Sequence, residues 1–136
     1  MARDANGLVI LTEDECLRLL TEHPLHIGRV AVIVDGYPLI LPVNYRIDHG
    51  TVVFRTSIGT KLDVAARGAP LGFEVDDLDP AWEEGWSVVI RGRGEEVTNP
   101  AEVSRLQRLP IRPWGPGDRS RFVRIQPEIM SGRRIA

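Results

Sequence analysis

The chain has 136 residues, of which 43% are hydrophobic and 26% charged, with a formal net charge of -2 at pH 7. This length predicts a single domain over residues 1–136, flexible at 1–10, and the weak negative charge excludes a general attraction to nucleic acid or to an anionic membrane. The single cysteine, Cys16, excludes an internal disulfide framework, and no apolar run has the length of a membrane span or a signal core, so we expect a cytoplasmic protein.

The first part of the chain predicts one helix followed by a β-hairpin. Thr12 and Glu15 form a capping-box pattern, so LTEDECLRLL is predicted to be a short helix. Two β-branched runs follow in HIGRVAVIVDGYPLILPVNYRID, and the dipeptide Asp35-Gly36 between them tolerates the positive φ angles of a tight turn. TVVFRT, which follows the turn Asp48-His49-Gly50, predicts a third strand.

The second part alternates further strands with short helices. TKLDVAARG predicts a helix that ends at Gly68, and the alternating apolar residues from Leu71 to Val75 predict a strand that runs into an acidic loop at 76–84. WSVVIRGRGEEV predicts a fifth strand, PAEVSRLQRL a helix capped by Asn99, and SRFVRIQPEIM a last strand. This pattern predicts a mainly β fold with short helices, in which six to seven antiparallel strands close into a barrel.

The stretch FRTSIGTKL concentrates groups that bind anions. It supplies Arg55 and Lys61 as cations, Thr56 and Ser57 as hydroxyls, and Gly59 as a point where the backbone can approach a ligand. Taken singly, each of these could be a solvated residue at the wet end of a strand. A strand end, a glycine turn and a helix N-terminus in succession would instead gather them around one small volume, which suits a phosphomonoester.

LPVNYRIDHGTVVFRTSIGTKLDVA, with FEVDDLDP and GWSVVIRGRGEEV behind it, resembles the split-barrel flavin-binding family related to pyridoxamine phosphate oxidase, over about residues 11–125. The likeness is to its small actinobacterial-type, nitroimidazole-reductase-like branch. It implies an FMN-binding antiparallel split β-barrel that forms a homodimer with two shared FMN sites. In the resemblance the phosphate would be held by Arg55, Thr56, Ser57 and Lys61, the ring would lie beside Pro42, Val43, Asn44 and Tyr45, and the partner would supply Trp86 and Ser87.

The same resemblance implies an FMN-dependent oxidoreductase that moves electrons or hydride between a reduced donor and a small organic acceptor. Such chemistry needs no protein nucleophile, so no catalytic residue is assigned, although Tyr45 is considered as a proton donor. The C-terminal QPEIMSGRRIA does not resemble the substrate-binding segment of true pyridoxamine phosphate oxidases, so vitamin B6 synthesis is not expected.

Two alternatives stay open on the same barrel. One is a deazaflavin-dependent reductase, whose extended anionic tail would need a cationic groove such as Arg119, Arg121 and Arg124 could line; in some related barrels the ligand is a haem. The other is a flavin carrier or sensor without turnover. A nucleic-acid-binding barrel is not favoured, because few aromatic residues lie on the predicted strands.

The remaining reactive residues are assigned structural roles. Cys16 lies on the apolar face of the first predicted helix and is expected in the core. Trp86 and Trp114 are expected to form an interface and lid, and Trp82 is left unassigned. Carboxylates at a metal-site spacing are absent beside the histidines, so we expect no metal at His23, His26 or His49.

Overall fold

The structure, a computed structural model, describes residues 1–57, 59, 61–112 and 120–135. The described residues form seven strands, two α-helices and one 3-10 helix. The strands are β1 (Val9–Leu11), β2 (Ile27–Val34), β3 (Tyr37–Asp48), β4 (Thr51–Ser57), β5 (Arg67–Asp79), β6 (Glu84–Glu96) and β7 (Ser120–Ile135). The helices are α1 (Glu13–Glu22), α2 (Pro100–Leu106) and the 3-10 helix Lys61–Ala66.

The strands form one antiparallel sheet that closes on itself. Their order is β1-β7-β4-β3-β2-β5-β6, and β6 also pairs with β7, which closes the sheet into a barrel. Every pairing is antiparallel. The predicted mainly β barrel is therefore confirmed. None of the helices in the described part of the chain is long and apolar enough to cross a membrane.

Alternate residues of the strands fill the barrel, as the period-2 geometry of a strand requires. The core residues of these strands include Val30, Val32, Val43, Tyr45, Val52, Phe54, Phe73, Val75, Val88, Ile90, Val123 and Ile125. Helix α1 contributes Cys16 and Leu20 to the same core, so the prediction for Cys16 is confirmed. The predicted capping box of α1 is also present, with Thr12 as N-cap and Glu15 as its partner.

A second, smaller apolar cluster covers part of the outer face of the barrel. Val53 of β4 and Phe122 of β7 pack there against Leu106 of α2 and against Ile111, which follows that helix. Asn99 caps α2 as predicted, because its side-chain oxygen accepts hydrogen bonds from the next backbone N–H groups. This outer layer lies directly beside the strand end that carries Arg55.

Several predicted boundaries were wrong. The helix predicted in TKLDVAARG is the six-residue 3-10 helix Lys61–Ala66 and ends before Gly68, because β5 begins at Arg67. Helix α2 ends at Leu106 instead of Leu109. The acidic stretch is mostly strand, because β5 runs to Asp79 and β6 begins at Glu84. Most residues at this end of the hairpin are exposed and many are charged. They therefore lack the alternation of apolar and polar residues by which a strand is recognised in a sequence.

The two ends of the chain pair with each other. Strand β1, which the sequence analysis missed, has only three residues. It pairs with the C-terminal end of β7, where Val9 lies opposite Arg134. Strand β7 continues to Ile135, beyond the predicted end at Met130. Ahead of β1, Asp4 forms an ion pair with Arg133 at 2.9 Å. The stretch 1–10, predicted to be flexible, thus contributes two strand residues and an ion pair.

Candidate functional site

Strand β4 distributes the predicted phosphate-binding residues over both faces of the sheet. Arg55 alternates with Val53 of the outer cluster, and Ser57 follows on the same face. Thr56 alternates with Phe54 of the core and is almost fully buried. A ligand on the outer face can therefore meet the side chains of Arg55 and Ser57, but only the backbone of Thr56.

Arg55 is held against the outer apolar layer. One of its terminal nitrogens, Nη1, donates a hydrogen bond to the carbonyl of Ile111 at 3.2 Å. Its guanidinium carbon lies 4.9 Å from the centre of the Phe122 ring, and Phe122 is also its partner across the strands. These contacts fix the arginine on a rigid strand, which is the preorganisation that anion binding needs.

The turn after β4 combines a cation with a bound backbone amide. Lys61 is exposed at the start of the 3-10 helix. Gly59 has a φ of +86°, which favours glycine, and a Cβ there would meet no atom within 4 Å. Its N–H donates a hydrogen bond to the buried carboxylate of Asp63 at 2.6 Å. The amide that was expected to approach a ligand is thus already bound to an acid of the same turn.

Strand β3 presents two of its four predicted ring-side residues on the outer face. Pro42 and Asn44 are outward, whereas Val43 and Tyr45 are fully buried. The Asn44 side-chain nitrogen donates to the carbonyl of Arg112 at 3.0 Å. Because Tyr45 pairs with Phe54, Asn44 lies at the level of the next residue of β4, Arg55. Asn44 and Arg55 therefore lie side by side.

Tyr45 is poorly placed to donate a proton to a ligand. Its hydroxyl donates a 2.7 Å hydrogen bond to the carbonyl of Leu20 inside the barrel. Burial raises the pKa of its phenol to about 12, so the group retains its proton across the physiological range. This arrangement argues against the proton-donor role considered from the sequence, although the backbone of Tyr45 can still face a ligand.

Trp86 and Ser87 lie far from Arg55 within one chain. Ser57 pairs with Ser120 and Trp86 pairs with Arg134, near opposite ends of β7. Phe122, the partner of Arg55 on β7, is twelve positions along the strand from Arg134, the partner of Trp86. The Trp86 ring packs on the core and meets the His23 ring edge to face at 5.5 Å, which is local packing. Trp114, the other predicted lid residue, lies outside the described residues.

The cations suggested for a deazaflavin groove are engaged elsewhere. Arg124 donates to the Asp48 carboxylate at 2.9 Å and to the Thr51 hydroxyl at 2.6 Å. Arg121 forms an ion pair with Glu96 at 3.3 Å. Arg119 lies outside the described residues. The two described arginines therefore serve contacts within the chain rather than an open groove.

Two charged features were missed by the sequence analysis. Arg46, half-buried on the outer face of β3, follows Asn44 by two residues, so strand alternation alone could have identified it. Glu74 and Asp76, on the outer face of β5, line a cavity of about 230 Å³ together with Ser87 and Arg133. Glu74 was predicted on the strand, but Asp76 was assigned to an acidic loop, so the two carboxyl groups were not recognised as neighbours on one strand face.

An exposed apolar surface covers the outer face of β2 and β3. Ile33 of β2 and Ile40 of β3 are exposed on this face, with Ile129 of β7 nearby. A shallow cavity of about 380 Å³ adjoins it, lined by Ile33, Pro38 and Ile129 among others. Contiguous apolar surface of this kind marks an interaction site on a globular domain.

The closed antiparallel barrel and the cationic strand end define a small β-barrel protein with a candidate anion site. Comparison with known sequences identifies the family. Residues 12–134 match the sequence model of a family described as pyridoxamine 5'-phosphate oxidase, so this chain belongs to that family. The resemblance predicted from the motifs is thereby confirmed.

Three relatives illustrate the likeness. The uncharacterized protein Rv0080 of Mycobacterium tuberculosis is 40% identical over 98% of this chain and 89% of its own length. The structure of an FAD-binding protein from Mycobacterium smegmatis has a TM-score of 0.80 and 38% identity, covering 94% of this chain and 100% of that one. An FAD-binding protein from Mesorhizobium loti has a TM-score of 0.74 and 24% identity, covering 95% and 99%, and shows the shared fold alone.

Proposed function

We propose that this chain binds a flavin nucleotide on the outer face of β3 and β4 and acts as a flavin-dependent oxidoreductase. The observation that carries the proposal is the position of Arg55, fixed beside Asn44 at a strand end, in a chain 38% identical to an FAD-binding protein. Small organic acceptors are the expected substrates, since the family fold presents a flavin to solvent-borne reactants.

The residues at this strand end fit a phosphate. Arg55 offers a forked donor, Ser57 a hydroxyl on the same face, and Lys61 an exposed point charge within the following turn. Asp63 adds one negative charge nearby, and this charge is shared with Arg121, whose Nε lies 3.9 Å from Oδ1, while Oδ2 accepts the Gly59 N–H. The isoalloxazine ring, when bound, supplies the hydride or electron transfer. The chain's own part is to bind the phosphate at Arg55 and to orient the ring with Asn44 and the adjoining backbone.

The proposed assembly is a homodimer with shared flavin sites. Trp86 pairs near the end of β7 opposite to the one that pairs with Arg55 and Ser57, so we expect Trp86 and Ser87 to join the ligand of a second copy. The exposed apolar face of β2 and β3 gives such a copy a surface to cover. Light scattering of the purified protein tests this, with a dimer mass expected and a monomer mass at micromolar concentration against it.

The form of the flavin is the next question. The motif FRTSIGTKL predicted FMN, because its cations and hydroxyls suit one phosphomonoester. Similarity to an FAD-binding protein favours the dinucleotide. Release of the bound cofactor by denaturation, followed by chromatography and mass measurement, distinguishes FMN, FAD and a deazaflavin directly.

The deciding experiment compares flavin binding by the wild type with that of Arg55→Ala combined with Lys61→Ala. We expect a yellow protein with a flavin absorption spectrum, and a loss of affinity of at least tenfold in the double variant. Arg18→Ala, which removes an exposed arginine from α1, is the matched control and should bind normally. Equal affinity in the double variant would place the phosphate elsewhere, and a wild type that binds no flavin would refute the proposal.

A flavin carrier or sensor is the second candidate function. The observation that favours it is the burial of Tyr45, which leaves the considered proton donor inside the barrel. Stopped-flow reduction of the flavin by nicotinamide donors, followed by reoxidation with quinones and nitroaromatic compounds, separates the two functions. Turnover with any acceptor supports the oxidoreductase, and a flavin that stays oxidised under all donors supports the carrier.

A further inference from the structure

Arg46 is a half-buried cation whose charge has no partner in the described structure. It lies on the outer face of β3, opposite Val53 of β4. Within residues 1–57, 59, 61–112 and 120–135 its Nε is buried without a hydrogen-bond partner, and its guanidinium forms no ion pair. A buried polar group left without a partner costs about 1–3 kcal/mol, and such groups call for an explanation.

The acid that shares this strand face does not compensate Arg46. Asp48, two residues along β3, is bound by Arg105 and Arg124 instead, at 2.8 and 2.9 Å. The positive charge of Arg46 is felt by its neighbours: the pKa of His26 is lowered, first by burial and then by this arginine. The face around Arg46 therefore carries a net positive charge that a bound anion would neutralise.

The register of β3 and β4 relates Arg46 to Arg55. Arg46 is directly opposite Val53, and Arg55 is two residues further along β4, so the two arginines are diagonal neighbours on one face. Diagonal neighbours in an antiparallel pair are about 7–8 Å apart at the backbone, well within the reach of two long side chains that meet on one ligand. Asn44, at the level of Arg55, lies on the same face.

Two guanidinium groups on one face suit two adjacent phosphates. Each guanidinium offers a planar fork of donors that matches the oxygens of a single phosphate group. FMN carries one phosphate, which Arg55, Ser57 and Lys61 already suffice to bind. FAD carries two phosphates joined through one bridging oxygen, so its second phosphate lies beside the first and needs its own donors.

We propose that Arg46 binds the second phosphate of a flavin dinucleotide, so that the Arg46 and Arg55 pair makes this chain select FAD over FMN. The inference rests on the proposed flavin site and adds to it the residue that decides between the two cofactors. Among the described residues of the outer face, Arg46 is the cation with a buried nitrogen that has no hydrogen-bond partner.

The test compares the dissociation constants of FAD and FMN, measured by titration calorimetry or flavin fluorescence on the full chain freed of cofactor. Arg46→Gln should weaken FAD binding by tenfold or more and FMN binding by less than about threefold, because hydrogen bonds to a charged group contribute that much. Arg46→Lys, which keeps the charge without the fork, should fall between. Arg55→Ala should weaken both flavins, and Arg18→Gln should weaken neither.

Folding does not confound this comparison, since Arg46→Gln removes an unpartnered buried group and should leave the urea midpoint unchanged or raised. Equal weakening of both flavins by Arg46→Gln, or no change in either, would overturn the inference. A wild type that binds FMN but not FAD would also overturn it while the proposed function stands. A wild type that binds neither flavin refutes both.

Discussion

Two clusters of charged side chains on the outer face of the barrel differ in how many guanidinium groups each carboxyl group contacts. In the first cluster the carboxylate of Asp48 is bound by two guanidiniums, and Glu102 also contacts Arg105 at 2.6 Å. Arg105 donates two hydrogen bonds of 2.8 Å to it, and Arg124 donates one of 2.9 Å. These contacts join α2 and β7 to the end of β3, so this cluster fastens the helix that covers the outer apolar residues.

In the second cluster two carboxyl groups share one guanidinium. Glu74 and Asp76 are alternate residues of β5, and Arg29 of β2 approaches them at 3.4 and 3.7 Å. Arg29 is itself largely exposed, so water weakens its attraction for both acids. This cluster lines a cavity instead of fastening a helix.

The surroundings of the carboxyl groups give the two clusters different protonation states. The hydrogen bonds and charges of Arg105 and Arg124 hold the pKa of Asp48 well below its usual range, against the opposing effect of burial. Burial, followed by the hydrogen bond and charge of Asp76, raises the pKa of Glu74 to about 7. The first cluster is therefore ionised at every physiological pH, whereas the second exchanges a proton near neutrality.

The largest effect is expected from Asp48→Ala. The variant removes the buried carboxylate that Arg105 and Arg124 share, although Arg105 keeps Glu102 as a partner. Removing one partner of a buried ion pair costs about 3 kcal/mol of unfolding free energy. Urea unfolding followed by circular dichroism measures the loss. Glu128→Ala is the control, because its contact with Arg93 is exposed on both sides and should contribute less than about 1 kcal/mol. Equal losses in the two variants would show that the Asp48 cluster is no stronger than a surface pair.

The same cluster predicts how the protein responds to acid. Because the pKa of Asp48 is lower in the folded than in the unfolded chain, its stabilisation is fully present above the unfolded value of about 3.9 and is lost as the pH falls further. The wild type should thus lose stability below about pH 4. Asp48→Asn should be less stable at pH 7 and show a smaller further loss in acid, as measured by urea midpoints across this range. Parallel midpoint curves would contradict the prediction.

Glu74 predicts the opposite slope at higher pH. Its folded pKa of about 7 exceeds the model value of 4.5 for an unfolded chain, so its contribution is fully present below 4.5 and is lost as the pH rises through about 7. In Glu74→Gln this loss should disappear, and the difference in unfolding free energy from the wild type should grow between these two pH values. A difference that stays constant with pH would show that Glu74 ionises normally.

The barrel itself could be predicted because its strands alternate apolar and polar residues between clear turns. Asp35-Gly36 marked the first hairpin, and Asp35 indeed has a positive φ of 53°. Strand β1 was missed, because three residues cannot display a period. The helix after β4 was predicted, but composition does not reveal that it would be a six-residue 3-10 helix in which Asp63 accepts a hydrogen bond from the Gly59 amide.

The candidate site was predictable in composition but not in geometry. Arg55 and Lys61 could be identified as a cationic pair from their spacing alone. The sequence does not show which face of the sheet each residue occupies. In the structure the side chains of Thr56 and Tyr45 point into the core and not toward the outer face. Arg46 was overlooked because the sequence places an acid, Asp48, two residues away on the same strand face. Only the structure shows that this acid is already bound by Arg105 and Arg124.

The smallest effect is expected from Arg29→Gln, which removes the only base of the second cluster within the described residues. Arg29 lowers the pKa of Glu74, so its loss should raise that pKa further above 7, while the unfolding free energy changes by less than about 1 kcal/mol because the pair is exposed. Carboxyl carbon chemical shifts of Glu74, followed by NMR against pH, measure the shift directly. A Glu74 pKa that falls or stays in place would show that Asp76 and burial alone set it. In that case Arg29 would have no effect on the pKa of Glu74, whereas Arg105 and Arg124 lower the pKa of Asp48.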